Sequence, residues 1–222
     1  MEKSYLVWLM LGSFLAVGTE SISYAEGTVE IAKEEKLTES YGSIDLISDS
    51  ESETKPLLPT IPDGKTGNVG ELTIDNVSPF IFGTQKITGS KAVFYSTTTD
   101  GNVQVTDKRG TGAGWILQVR STDFIDSENT LNTLKGAELT IPAGTVSSDN
   151  GNSSEKPITS QVALNATDAT IFKAESQAGL GSWINRFDGV ENKSKVMIEI
   201  PAGSMKGSYV STITWTLSDA PK

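Results

Sequence analysis

The chain contains no cysteine and no histidine among its 222 residues. These two absences remove disulfide staples, thiolate chemistry, the usual zinc sites and every catalytic triad that relays a proton through imidazole. The mature chain also has no cysteine to carry a lipid and no apolar tail at Lys222. Positive charge is scarce, with 18 Lys and Arg against 28 Asp and Glu for a net of -10. That excess disfavours nonspecific attraction to nucleic acid or an anionic membrane. Aromatics make up only 7% of the residues, too few for a long sugar-stacking cleft. A carboxylate glycosidase would have to draw on Asp107, Asp123, Asp126, Glu138 or Glu199, and no spacing singles out a pair. The expectation is a protein that is not an enzyme and carries no metal or cofactor.

What is present begins with an export signal. Lys3 precedes an apolar run from Tyr5 to Val17, too short to span a bilayer, and Ser23 and Ala25 supply the small residues before a cleavage site. Residues 1–25 are read as a signal peptide and 26–222 as one domain, large enough to bury a core unaided. Residues 26–65 hold ten acids against four lysines, and the stretch from about 32 to 70 reads as a solvated, mobile loop. Within it, Ile44, Leu46 and Ile47 suggest a point of contact with the body. Asp49, Glu51 and Glu53 cluster oxygens without the spacing of a calcium loop.

From Gly27 onward, short alternating apolar runs are separated by Gly, Asn, Asp, Ser and Pro, the pattern of an all-β, sandwich-like, two-layer antiparallel fold with long loops. "GTVEI", "ELTIDNV", "PFIFG", "NVQVTD", "AELTI" and "KVMIEI" are predicted strands, with a short helix near Ser121–Glu128. "TIPAGT" at Thr140 and "EIPAGS" at Glu199 read as equivalent strand ends, since proline cannot donate to a ladder. A Lys–Asn isopeptide crosslink would need both residues and an acid buried together, which sequence alone does not place.

Two Trp-x-Leu steps stand about a hundred residues apart, "GWILQV" at Gly114–Val119 and "YVSTITWTL" at Tyr209–Leu217. The strand period of two puts Trp115, Leu117 and Val119 on one face, and Tyr209, Ser211, Ile213, Trp215 and Leu217 on one face of a second strand. A mid-strand Trp among aliphatics is usually core, and an exposed one is a binding anchor. Lys108 and Arg109, beside the first step, read either as a solvated turn or as a local basic patch.

The order "LTIDNVSPFIFGTQKITGS", "VTDKRGTGAGWILQV", "LKGAELTIPAG", "GLGSW", "IPAGSMKGSYVSTITWTLSDAP" resembles the WxL-domain cell-surface proteins of Gram-positive bacteria over essentially the whole mature chain. The resemblance implies a secreted protein attached noncovalently to the cell wall, binding peptidoglycan and pairing with a larger membrane-anchored surface protein, with no nucleic acid and no membrane insertion. It makes Trp115, Leu117, Tyr209, Thr214, Trp215 and Leu217 the defining positions. Other WxL proteins or host matrix are further partners it admits, and a host-matrix adhesin subunit or a carbohydrate-binding module is the alternative function. Because the chain and the wall polymers are both anionic, stacking, shape and hydrogen bonds rather than Coulomb attraction must supply the grip.

Overall fold

Alternation drives the architecture. In a computed structural model of the chain, residues 42–187 and 195–219 are described, and no helix forms among them. The predicted signal peptide and the predicted strand "GTVEI" lie outside the described residues. Asp45–Lys222 forms one compact unit. Among the described residues its fourteen strands are β1 (Leu72–Val77), β2 (Ala92–Tyr95), β3 (Asn102–Asp107), β4 (Trp115–Ser121), β5 (Ile125–Asp126), β6 (Glu138–Ile141), β7 (Thr145–Ser148), β8 (Ile158–Thr159), β9 (Val162–Ala163), β10 (Ala169–Ala174), β11 (Gly181–Arg186), β12 (Met197–Ile200), β13 (Tyr209–Val210) and β14 (Ile213–Asp219).

These pair antiparallel into three four-stranded sheets, β1-β3-β11-β7, β14-β4-β10-β8 and β2-β12-β6-β9, and a two-stranded ribbon, β13-β5. The fold is all-β and sandwich-like, as the alternation predicts. One apolar core joins the sheets, with Val103 and Val105 of β3, Trp115, Leu117 and Val119 of β4, Ile171 and Phe172 of β10, and Ile198 of β12. The two "IPAG" segments end β6 and β12, which are neighbours paired through Ile198 and Leu139.

Three sequence expectations fail here. No helix forms at Ser121–Glu128; instead the buried Asp126 carboxylate accepts the Glu128 and Ser208 amides, fixing a turn and letting Ile125–Asp126 pair with β13. "PFIFG" is not a strand, although Phe80 and Phe82 still pack on the core, Phe80 edge-on to Phe187 at 6.2 Å. Leu46 and Ile47, expected to contact the body, are instead 86% and 93% exposed.

The described part of the acidic stretch, residues 42–70, carries no named strand, and from Lys55 to Thr66 it is tied down. The β1-β3 sheet turns Val103 and Val105 inward and Asn102, Gln104 and Thr106 to its other face, and all of these are buried. Buried amides need partners. The Gln104 amide accepts the Leu57 N–H at 2.7 Å and donates to the Lys55 carbonyl, while Asn102 donates to the Leu58 carbonyl at 2.9 Å. Further along, Thr66 donates its amide to the Asp75 carbonyl. Within the acidic cluster, the Ser52 hydroxyl and amide donate to Asp49 and hold its carboxyl down at about 2, with Lys108 adding attraction from 3.6 Å. Glu53 pairs with Lys65 at 2.8 Å. Asp49 and Glu53 are therefore engaged by the chain itself.

Beneath this cover Asp75 is almost fully buried. Burial pushes its carboxyl above the ordinary range, opposed by hydrogen bonds from Thr106, Thr73 and Gln104. A carboxyl raised on folding binds its proton more tightly in the native state. Its stabilising contribution is therefore fully present below the unfolded value and is lost as pH rises from there through the folded one. Asp75→Asn removes the charge while its oxygen still accepts from Gln104 and Thr106 and its amide can donate to the Thr73 hydroxyl. The expected result is a flatter pH dependence of urea midpoints above pH 4, with no loss of stability at neutral pH. An unchanged slope would contradict it.

Candidate functional site

The two Trp-x-Leu steps, far apart in sequence, are neighbours. β14 lies antiparallel beside β4 in a register that sets Trp215 opposite Val119, Leu217 opposite Leu117 and Asp219 opposite Trp115. Directly opposed residues share a face, so both steps turn toward the core. They are not equally deep. β4 is an inner strand, flanked by β14 and β10, and Trp115 and Leu117 are 0% exposed. Among the described residues β14 is an edge strand, and Trp215, Leu217 and Thr214 are half-buried.

Trp115 is fixed on two sides. Its ring stands edge-on to Phe172 at 4.9 Å, and its N–H donates to the Gly179 carbonyl at 3.1 Å. The glycines flanking this contact follow from close approach. A Cβ on Gly179 would fall 2.7 Å from the indole nitrogen, and one on Gly114 would fall 2.5 Å from the Ala174 carbonyl oxygen. Both glycines also hold positive φ, +72° and +75°.

The single strand expected from Tyr209 to Leu217 is divided. Ser211 and Thr212 leave the ladder to bond Thr122: the Ser211 hydroxyl donates to its carbonyl at 2.7 Å, and the Thr212 amide to its hydroxyl at 2.9 Å. Tyr209 consequently sits on β13, half-buried, its hydroxyl donating to the Met205 carbonyl. Tyr209 does not share a strand with Trp215.

Arg109 is neither a solvated turn nor a basic patch. Its guanidinium is largely buried, paired with Asp107 at 2.8 Å and with Asp219, and it donates to the Gly114 carbonyl at 2.8 Å. Asp107, at the end of β3, is wholly enclosed. These contacts keep Arg109 charged, and they tie the turn before Trp115 to the residue that closes β14. Lys108 is engaged in turn by Asp49 and the Ser52 carbonyl. Arg109 was legible only as a charge beside a motif; its partner Asp219 lies 110 residues away.

The register is open to a direct chemical test, because the chain has no cysteine of its own. Gln118 and Thr216 are opposed on the outward face of the same pair of strands. Opposed Cα atoms in an antiparallel pair stand about 4.5–5.5 Å apart, within disulfide reach. Gln118→Cys/Thr216→Cys is expected to form an intramolecular disulfide on mild oxidation, while Gln118→Cys/Ser218→Cys, displaced by two residues, is expected to form much less. Equal yields would refute the register.

A second feature is concave. A groove of about 590 Å³ runs over the β2-β12 face, floored by Phe94, Ile198 and Ile200 and walled by the loop 83–91 and the loop 201–208, with Phe124 and Tyr209 at one side. Neither loop carries a motif that marks it in the sequence as part of a site. The acids considered for catalysis do not gather. Asp107 and Asp126 are buried and committed to Arg109 and to backbone amides, and Glu199 is paired with Lys91. Asp123 and Glu138 line another cleft, of about 470 Å³, but both are exposed, without the dry surround a general acid needs. No lysine is buried among the described residues, so none is placed for an isopeptide bond.

Residues 32–221 match the family model described as "WxL domain surface cell wall-binding". No curated protein and no solved structure matches the chain.

Proposed function

Because the chain belongs to the WxL family of surface cell-wall-binding domains, we propose that it is an exported, non-catalytic surface protein that binds peptidoglycan noncovalently and works with a larger membrane-anchored surface protein. The family match over nearly the whole chain carries this reading. Charge supports a grip by shape and hydrogen bonding, since the net of -10 opposes an anionic wall and the two basic residues nearest the first motif are already paired within the chain.

The defining residues divide by depth. Trp115 and Leu117 serve binding by building the central sheet, since neither offers surface to a ligand. Tyr209, Thr214, Trp215 and Leu217, half-buried, are the motif positions with surface left to offer. The test is cosedimentation of residues 26–222 with purified peptidoglycan. Pelleting that persists as salt is raised to about 0.5 M is expected, because exposed charge attraction is screened there. A chain that stays in the supernatant, with and without the larger surface protein, would overturn the reading.

A further inference from the structure

We propose that the groove over β2 and β12 is a docking site for an extended segment of a partner protein, one that presents large aliphatic side chains between acidic residues. The inference deepens the partner half of the proposed function and is independent of the peptidoglycan half.

Three observations converge on that occupant. The first is the floor. Ile198 belongs to the core, and Phe94 and Ile200 pack against it, so the groove is a place where the core's own apolar face reaches solvent. Its volume of about 590 Å³ lies within the roughly 300–1,000 Å³ typical of ligand pockets. Thr84, Gln85, Thr88, Ser90 and Ser204 in the loops could meet polar groups of any occupant, so the floor alone does not choose between a sugar and a peptide. Aliphatic side chains gain from burial on that floor.

The second observation is charge. The lining includes Lys86 and Lys206 and no acid at all, in a chain with ten more acids than bases. Lys65, Lys91, Lys108 and Arg109 are held in ion pairs, while Lys86 and Lys206, like Lys55, Lys135 and Lys156, have none among the described residues. The lips are alike in chemistry: each sets a lysine next to an exposed aliphatic, Lys86 beside Ile87 and Met205 beside Lys206, with Ile87 60% and Met205 57% exposed. Acidic groups flanking an aliphatic anchor complement that arrangement.

The third is the backbone. β2 pairs only with β12, and Ala92–Tyr95 make no other backbone hydrogen bond among the described residues. An unpaired strand edge accepts an added strand through main-chain bonds, with alternate side chains taking the pockets. A glycan cannot continue a β-ladder, and an extended peptide can.

The probe is a fluorescein-labelled nonapeptide alternating Glu and Ile, titrated with residues 26–222 and followed by anisotropy. Saturable binding is expected, lost when Lys replaces Glu or when Ser replaces Ile in the peptide. Lys86→Glu/Lys206→Glu changes only exposed rim side chains. It is expected to weaken the peptide on the order of tenfold while leaving pelleting with peptidoglycan unchanged. Absence of saturable binding, equal binding of the lysine peptide, or indifference to the double variant would overturn the proposal. Loss of pelleting in the double variant would instead put a wall polymer in the groove. A dimer by light scattering that the double variant dissolves would put a second copy there, and either result also overturns it. Failure of the wild-type chain to pellet would count against peptidoglycan binding alone, because the peptide titration does not depend on it.

Discussion

Trp115→Ala is expected to lower the unfolding free energy by about 3–5 kcal/mol, the range for truncating a large buried aromatic. The indole is completely enclosed, and its loss empties the space against Phe172 and frees the Gly179 carbonyl of its donor. Trp215→Ala, at a half-buried edge position, is expected to cost about 1–2 kcal/mol, because only part of its area leaves water on folding. Urea unfolding of the two variants separates them. Similar losses would mean that the two indoles share one environment, contrary to the inner and edge positions of β4 and β14.

Arg109→Ala is the second large effect, at about 3 kcal/mol, because it leaves the enclosed Asp107 carboxylate without its counter-charge. Asp219→Ala removes only the exposed partner of the same guanidinium and is expected to cost less than about 1 kcal/mol. The pair of variants distinguishes two roles for Arg109. If its main work were to clamp the end of β14, both substitutions would cost alike. If it chiefly neutralises Asp107, the arginine variant is far the worse, and adding Asp107→Asn to it should restore much of the loss.

How far the sequence anticipates this follows from the range of each signal. Period-two alternation is local, and it correctly marks β1, β3, β4, β6, β12 and the all-β class. It also assigns Trp115, Leu117 and Val119 to one face, which is the core face. It overextends where side chains divert the backbone: Ser211 and Thr212 bond Thr122 rather than the ladder, so the run from Tyr209 to Leu217 becomes two strands in two sheets. Asp126 does the same to the expected helix by capturing the Glu128 amide of its own turn and the Ser208 amide of the loop before β13.

The long-range features are those that a single pass along the chain does not supply. Nothing in "WILQVRS" or "ITWTLSD" states that they pair, still less that Leu117 meets Leu217. The acidic stretch reads as loop because its composition is polar, yet Asn102 and Gln104 hold part of it by its backbone, a contact blind to its side chains. The groove is hidden for the converse reason, since its floor is written in ordinary core residues and its walls in turn residues. Only their juxtaposition makes a concave surface.

On the proposed function, the first Trp-x-Leu step supports the wall-binding body from within and meets no ligand. A variant of residues 26–222 carrying Trp183→Phe and Trp215→Phe leaves Trp115 as its only indole, and acrylamide quenching then reports on that ring alone. A near-zero quenching constant, the same with and without saturating peptidoglycan, is the expected result. Quenching as efficient as that of an exposed indole in the free protein, followed by protection when peptidoglycan is added, would show Trp115 at the binding surface and contradict the claim.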